Sequence, residues 1–438
     1  MTNSTSLKGL ASKGILWTTL DKFIVQAGKF AIGIILARIL LPEDFGLIGM
    51  LSIFLVISNV FITSGMGAGL IQHQNRTDVD FSTVFVFNFV TSTLFYIILF
   101  FAAPFIADFY EQPVLTSLTR ALGLSLIINS LAVVQVSKLT IAMDFKSMAK
   151  VNIIGVVVGG AAALTSAFLG YGVWALVILT LLTASSSVLA LWFFSKWKPS
   201  ISFSKQSFNS LFNYGSKLLL ASLYSQTLNN VYNIIIGKVY PAASLGYYTR
   251  AKGFTELSAG TIANILQQVS FPLLASIQND KERLILVYRR LIKMAAYIIF
   301  PSMTLLSLLT EPLILVLLTD KWAAVIPLMQ WMVFARIFYP ISMLNMQILN
   351  AVGRSDLFLK VDLSKFPLVI IALIITFPLG IKAMIIGQVV TSGIEFFINA
   401  YLPGKLYGYG SLEQLRDMIP IIISTLVMAV LVFFTVNF

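Results

Sequence analysis

Apolar runs of about 20–30 residues, separated by short polar or Gly/Pro-containing breaks, recur along the whole chain. About 20 apolar residues in a helix are enough to cross a bilayer. Thirteen runs reach that length: 13–41, 45–71, 82–107, 115–137, 149–170, 172–194, 208–240, 245–277, 288–310, 325–350, 357–380, 382–403 and 418–436. The reversals Gly170-Tyr171-Gly172 and Gly380-Ile381-Lys382 divide runs that would otherwise be too long. The stretch 310–325, containing EPLILVLL, reads as re-entrant or interfacial. The pattern predicts an all-α, polytopic membrane protein of about thirteen transmembrane helices.

The first run carries polar residues in a register. Lys22, Gln26, Lys29 and Gly33 follow steps of four, three and four, which places them on one helical face among Ile, Leu, Phe, Val and Ala. Pro42 predicts the end of that helix, because it disfavours helical geometry at the residue before it. The same stretch recurs 200 residues later, where IILARILLPEDFG lies over IIIGKVYPAASLG. Arg38 meets Lys238 and Gly46 meets Gly246. Six runs precede the polar linker SKWKPSISFSKQSFNS, so runs one and seven enter the membrane from the same side. The duplication is therefore parallel. The expected organisation is a six-helix lobe at 1–194, a linker at 195–207, a second six-helix lobe at 208–403 and an additional C-terminal helix within 404–438.

Composition agrees with the pattern. The chain is 58% hydrophobic and 11% charged, against about 25% charged in soluble domains. No cysteine is present, which excludes disulfides, thiolate metal sites and cysteine nucleophiles. The opening MTNSTSLKGLASKG lacks the short apolar core and cleavage site of a secretory signal. Of the 30 Lys and Arg, nineteen fall in segments at one side of the membrane (the terminus, loops and adjoining span ends), and Lys321 and Lys382 at the other. The positive-inside rule then puts the N-terminus in the cytoplasm.

Nine cations remain inside the spans: Lys22, Lys29, Arg38, Arg120, Lys217, Lys238, Arg250, Lys252 and Arg336. At roughly 2.5–3.5 kcal/mol each, nine lipid-facing cations would cost about 20–30 kcal/mol. Arg38 and Lys238 lie near span ends and can snorkel to the interface. Lys22, Lys29, Lys217, Arg250, Lys252 and Arg336 lie deeper, and most of them require water or an anion. Polar stripes accompany them. Gln226, Asn230, Asn233 and Gly237 repeat the spacing of the first run, and Glu256, Gly260, Asn264 and Gln267 share a face of the eighth. Asn59 and Thr63 on the second span, and Gln347 and Asn350 on the tenth, extend the set. Interhelical hydrogen bonding explains any one of these amides; jointly, beside the cations, they indicate a hydrophilic cavity. Gly155, Gly159 and Gly160 read as close helix packing. Gly65-Met66-Gly67-Ala68-Gly69 lacks the Gly-Lys-Ser/Thr ending of a phosphate loop. No catalytic triad and no metal-ligand cluster stands out.

ARILLPEDFG after the first span, GMGAGLIQ at the end of the second, SFPLLASIQND after the eighth and LNAVGRSD after the tenth resemble bacterial polysaccharide exporters. These are the O-antigen and colanic-acid type flippases of the multidrug/oligosaccharidyl-lipid/polysaccharide exporter superfamily. The resemblance implies two six-helix lobes and alternating access through a cationic central cavity. It also implies movement of undecaprenyl-diphosphate-linked oligosaccharide repeat units from the cytoplasmic to the periplasmic leaflet of the inner membrane. It points to Lys22 and Lys29, and to Arg250 and Lys252, as residues that hold the diphosphate; Gln26, Lys217 and Arg336 join them as candidate substrate-binding residues of the cavity. The partners it suggests are the lipid-linked substrate, membrane lipids, a polysaccharide polymerase and a chain-length regulator, and no nucleic acid. Larger members carry fourteen spans where thirteen are counted here.

The alternatives are a cation-coupled drug antiporter of the same fold, which calls for an acidic cavity, and a membrane polymerase or glycosyltransferase, which calls for a large outer loop or an acidic/His cluster. No cofactor is expected beyond a coupling proton or sodium ion. Asp21, Glu256 and Glu395 are the in-membrane carboxylates open to that role. Asp21 beside Lys22, and Glu256 four residues after Lys252, equally suit neutralisation of a lysine when no substrate is bound. Glu395 lacks such a neighbour.

Overall fold

The computed structural model describes residues 4–437 apart from Ser64 and Ile201; side chains at 4–16, 18–20, 214, 217, 218, 221, 355, 436 and 437 lie outside the description. The chain is helical throughout. The helices are α1 (Ser4–Ile39), α2 (Pro42–Thr63), α3 (Met66–Gln72), α4 (Asp78–Tyr110), α5 (Leu115–Ser130), α6 (Val133–Ile141), α7 (Phe145–Phe168), α8 (Trp174–Ser195) and α9 (Lys205–Val239). They continue as α10 (Ala242–Ser276), α11 (Lys281–Leu308), α12 (Thr310–Leu318), α13 (Val325–Arg336), α14 (Tyr339–Ala351), α15 (Ser355–Ser364), α16 (Phe366–Thr376), α17 (Ile381–Tyr407) and α18 (Ser411–Asn437). Among the described residues, nine helical stretches are long and apolar enough to cross a membrane. The charged or interrupted helices α1, α9, α10 and α15–α16 coincide with the other expected spans. The protein is a multi-pass, all-α membrane protein. The stretch 310–325 forms a short helix, α12, and a single 3-10 turn rather than a span.

Local chemistry sets the helix ends. Pro42 opens α2, where its missing N–H and fixed φ are compatible with the first helical turn. Thr77 and Asp80 form a capping box at the start of α4, with the Thr77 N–H donating to Asp80 at 2.7 Å. Asp144 and Asp280 accept from the backbone N–H groups of Ser147 and Arg283, which caps α7 and α11.

Two compact units result, residues 1–246 and 247–438. The boundary lies inside α10, not at the linker 195–207 where the repeat divides, because α9 packs with α2, α3 and α4 of the first repeat. In the first unit, α1, α7 and α8 share an apolar core of Leu36, Leu40, Ala163, Ala167, Ala175 and Leu176. A second core joins Met66, Leu70, Phe81, Val84 and Val134 to Leu211 of α9. The small residues of α7 permit its close packing: a Cβ on Gly155 or Gly159 would overlap Ser187 or Thr183 of α8, and one on Gly160 would overlap Ile32 of α1. In the second unit, α11 packs on α13, α14 and α18, and α17 on α13, α14 and α16.

The repeat seen in the sequence is also a contact. A Cβ on Gly46 would overlap the Ala242 carbonyl, and a Cβ on Gly246 would overlap the Pro42 carbonyl. Residues 42 and 242, like 46 and 246, correspond under the 200-residue shift. The contact is thus reciprocal, as a two-fold relation requires. Glycine is needed at both places because a backbone carbonyl occupies the space of a side chain. Gly46→Ala and Gly246→Ala are each expected to lower stability by about 1–3 kcal/mol through overpacking, whereas Gly253→Ala, with open space at its Cβ, leaves it unchanged. Thermal unfolding of the purified protein in detergent measures this; equal melting of all three variants would contradict the close contact.

Candidate functional site

Helix α1 divides its polar residues between two faces. Asp21 accepts a hydrogen bond from Asn152 Nδ2 of α7 at 2.9 Å, and Gly28 faces Val156 on the same helix. Lys22, Gln26 and Lys29 are exposed. Asp21 thus bonds to α7, and among the described residues neither Lys22 nor Lys29 forms an ion pair.

The matching stripe on α9 serves two ends. Asn230 donates to the Gln226 carbonyl at 2.9 Å. Asn233 is buried, with its amide nitrogen 3.4 Å from both Ser52 Oγ of α2 and Asn230 Oδ1. Gly237 lies against Met50 and Tyr110. The Asn233 end is therefore the packing face against α2, while Gln226 and Asn230 are half-buried. Asn59 turns back on its own helix and donates to the Leu55 carbonyl. Lys217 stands on α9, but its side chain lies outside the described residues.

The second unit brings more of the expected residues together. Arg336, at the end of α13, donates from Nη2 to Glu256 Oε1 at 2.7 Å. Lys252 Nζ lies 3.9 Å from the same oxygen. Two cations therefore share one carboxylate, leaving a local charge of +1 among the three. Arg336 also lies over the Tyr339 ring at 5.7 Å, which orients its planar guanidinium. Arg250 has a different setting: its guanidinium lies 5.5 Å from the centre of the buried Trp322 ring, which Tyr247 meets edge-on. Farther along α10, Asn264 is exposed and Gln267 half-buried. Among the described residues their side chains form no hydrogen bond. Glu395 of α17 is half-buried and forms neither a hydrogen bond nor an ion pair among those residues. The charges acting on it are those of Lys365, Arg336 and Asp362.

Other in-span cations have structural partners. Arg120 donates to the Phe100 carbonyl and stacks over the Phe100 ring at 4.3 Å, joining α5 to α4. Lys238 pairs with Glu111 at 2.9 Å beyond the end of α4. The adjacent ammonium holds the Glu111 carboxyl below the usual carboxylate range.

The polar attachment of α18 was absent from the sequence reading. Asp417 receives Arg289 Nη2 at 2.7 Å, Lys293 Nζ at 3.2 Å and Tyr409 OH at 3.0 Å. Beside it Gln414 donates to Tyr288 OH at 3.1 Å and to Asn345 Oδ1 at 2.8 Å, and Tyr288 also donates to Asn345. The four-residue spacing of Arg289 and Lys293 was the available signal. Among the described residues no group of three or more His, Cys, Asp or Glu could hold a metal ion.

The arrangement offers exposed lysines in the first unit and a shared-carboxylate cation pair in the second, both on helices with apolar flanks. Each set presents positive charge of the kind that attracts an anionic group. The family model described as polysaccharide biosynthesis protein matches residues 35–327. The teichuronic acid biosynthesis protein TuaB of Bacillus subtilis (strain 168) is 25% identical over 349 residues, covering 78% of this chain and 72% of that protein. The succinoglycan biosynthesis transport protein ExoT of Rhizobium meliloti (strain 1021) is 24% identical over 318 residues, covering 73% and 64% respectively. Among solved structures, the lipid II flippase MurJ in an inward closed conformation shares the fold, with a TM-score of 0.79 at 16% identity over 96% of this chain and 93% of that one.

Proposed function

Because the chain belongs to the polysaccharide biosynthesis protein family, we propose that it is a flippase that moves lipid-linked oligosaccharide repeat units from the cytoplasmic to the periplasmic leaflet of the bacterial inner membrane. Its N-terminus lies in the cytoplasm, where the excess of loop Lys and Arg belongs. The lipid carrier is a polyprenyl diphosphate such as undecaprenyl diphosphate. Its tail stays in the bilayer while its charged head and sugars pass through the protein by alternating access.

The observation that carries this reading is the pairing of Lys252 and Arg336 on a single carboxylate, Glu256, in helices of low charge density. At about 6 Å and an effective dielectric near 20, each cation contributes about 3 kcal/mol towards a phosphate charge. Two such pairs offset much of the cost of removing a diphosphate from water. Lys22 and Lys29 supply a second cationic station in the first unit. A drug-cation antiporter would place the opposite sign of charge there. The sugars meet amides such as Gln226, Asn230, Asn264 and Gln267. A polymerase and a chain-length regulator act on the delivered units as partners.

A strain lacking the protein is expected to make complete lipid-linked repeat units and accumulate them on the cytoplasmic side. A strain that fails to make the units at all would mark the protein as a biosynthetic enzyme. Coupling to a proton or sodium gradient is assigned to Glu395, since a desolvated carboxylate without an ion pair is suited to exchange a cation. In proteoliposomes Glu395→Gln is expected to reduce gradient-driven transport severalfold, with gradient-independent exchange retained. Unchanged gradient dependence would remove Glu395 from the coupling.

A further inference from the structure

We propose that Glu256 is a resident counter-anion that sets how strongly the Lys252–Arg336 pair holds an anionic head, so that its influence grows with the charge of that head. The inference rests on the transport reading above and adds a specificity-determining residue to it. Glu256 is not placed in contact with the substrate; it acts through the two cations it occupies.

The geometry supports this role. Both cations converge on one oxygen, Glu256 Oε1, at 2.7 Å and 3.9 Å. The Lys252 and Arg336 side chains are 16% and 27% exposed, while that of Glu256 is 45% exposed. The carboxylate is therefore the most exposed member of the cluster. Its position four residues from Lys252 on one helix requires no folding partner, but Arg336 reaches it from another helix, 80 residues away.

The charge arithmetic follows directly. Whatever the neighbouring groups carry, removing the Glu256 charge raises by one the net positive charge that an incoming head experiences. Coulomb energy is the product of the two charges, so removing the carboxylate adds one unit of attraction for a one-charge head and two for a two-charge head. A diphosphate diester carries two charges, whereas the common anionic phospholipids, being monophosphate diesters, carry one. Without the carboxylate the site would hold such phospholipids more firmly and would bind the diphosphate too tightly to release it. Glu256 lowers both affinities and favours turnover, since binding that is equally strong before and after transport slows release.

Two probes test this on purified full-length protein in detergent by titration calorimetry: a short-chain prenyl diphosphate ester of N-acetylglucosamine, and the matching prenyl monophosphate ester of the same sugar. Glu256→Gln is expected to tighten the monophosphate probe about tenfold and the diphosphate probe about a hundredfold, the square of the first factor, because free energies scale with charge. In proteoliposomes the same variant should lower KM for the diphosphate probe and lower kcat with it. Arg336→Gln, which lowers the local charge by one, is expected to weaken the diphosphate probe about a hundredfold or more, so the charge dependence is tested even where Glu256→Gln does not fold. Glu256→Asp, retaining the charge, should stay near the parent. Unchanged or weaker diphosphate binding in Glu256→Gln, or equal gains for the two probes, would overturn the proposal and leave Glu256 as a tie between helices. A parent protein that binds neither probe would instead overturn the transport reading itself.

Discussion

Positive charge that is not allowed to face lipid governs this structure. A lysine or arginine at the centre of a bilayer costs several kcal/mol unless water, a carboxylate or an aromatic face receives it. The fold meets that demand in different ways. Arg120 is satisfied by a carbonyl and a ring between α4 and α5. Arg250 rests on Trp322. Lys238 extends to Glu111 at a helix end. Lys252 and Arg336 share one carboxylate. The cations with structural partners hold helices together, and the proposed function gives Lys252 and Arg336 the charged head.

Tight packing supports this distribution. The hydrophobic effect gives little reason for helices to associate inside a bilayer, so small residues and polar contacts do that work. The glycines of α7 bring α1 and α8 close, and Asp21 is held by Asn152 along the same contact. That contact fixes the rotation of α1 and leaves Lys22, Gln26 and Lys29 on exposed positions. In the second unit the Asp417 and Gln414 clusters attach α18 to α11 and α14 near one end. The rest of α18 presents an apolar surface that suits lipid.

Much of this was legible in the sequence, because membrane helices declare themselves through long apolar runs and local breaks. Every expected span coincides with helix, and the 200-residue shift located a pair of turns that touch. Lys252 and Glu256 were legible as a pair because helical spacing is a local property. What stayed hidden depends on tertiary contact. Nothing in the sequence said that Arg336 would close on Glu256, or that Arg250 would lie over Trp322. The α9 stripe matched the first helix in spacing, yet Asn233 and Gly237 form a packing surface against α2. Periodicity identifies a face and not what the face meets. Asp417 was overlooked because a single carboxylate beside a run start resembles a solvated helix end, and its cationic partners, Arg289 and Lys293, lie far away in the sequence.

Transbilayer movement in reconstituted vesicles tests the central claim that Lys252 and Arg336 carry the charged head. The probe is a fluorescent oligosaccharide on a prenyl diphosphate, with an uncharged prenyl-linked control of the same size. The parent protein is predicted to move the diphosphate probe and not the control. The double variant Lys252→Gln/Arg336→Gln, verified as folded by its melting profile, is predicted to move neither. Transport of the diphosphate probe by the folded double variant at the parental rate would contradict the account.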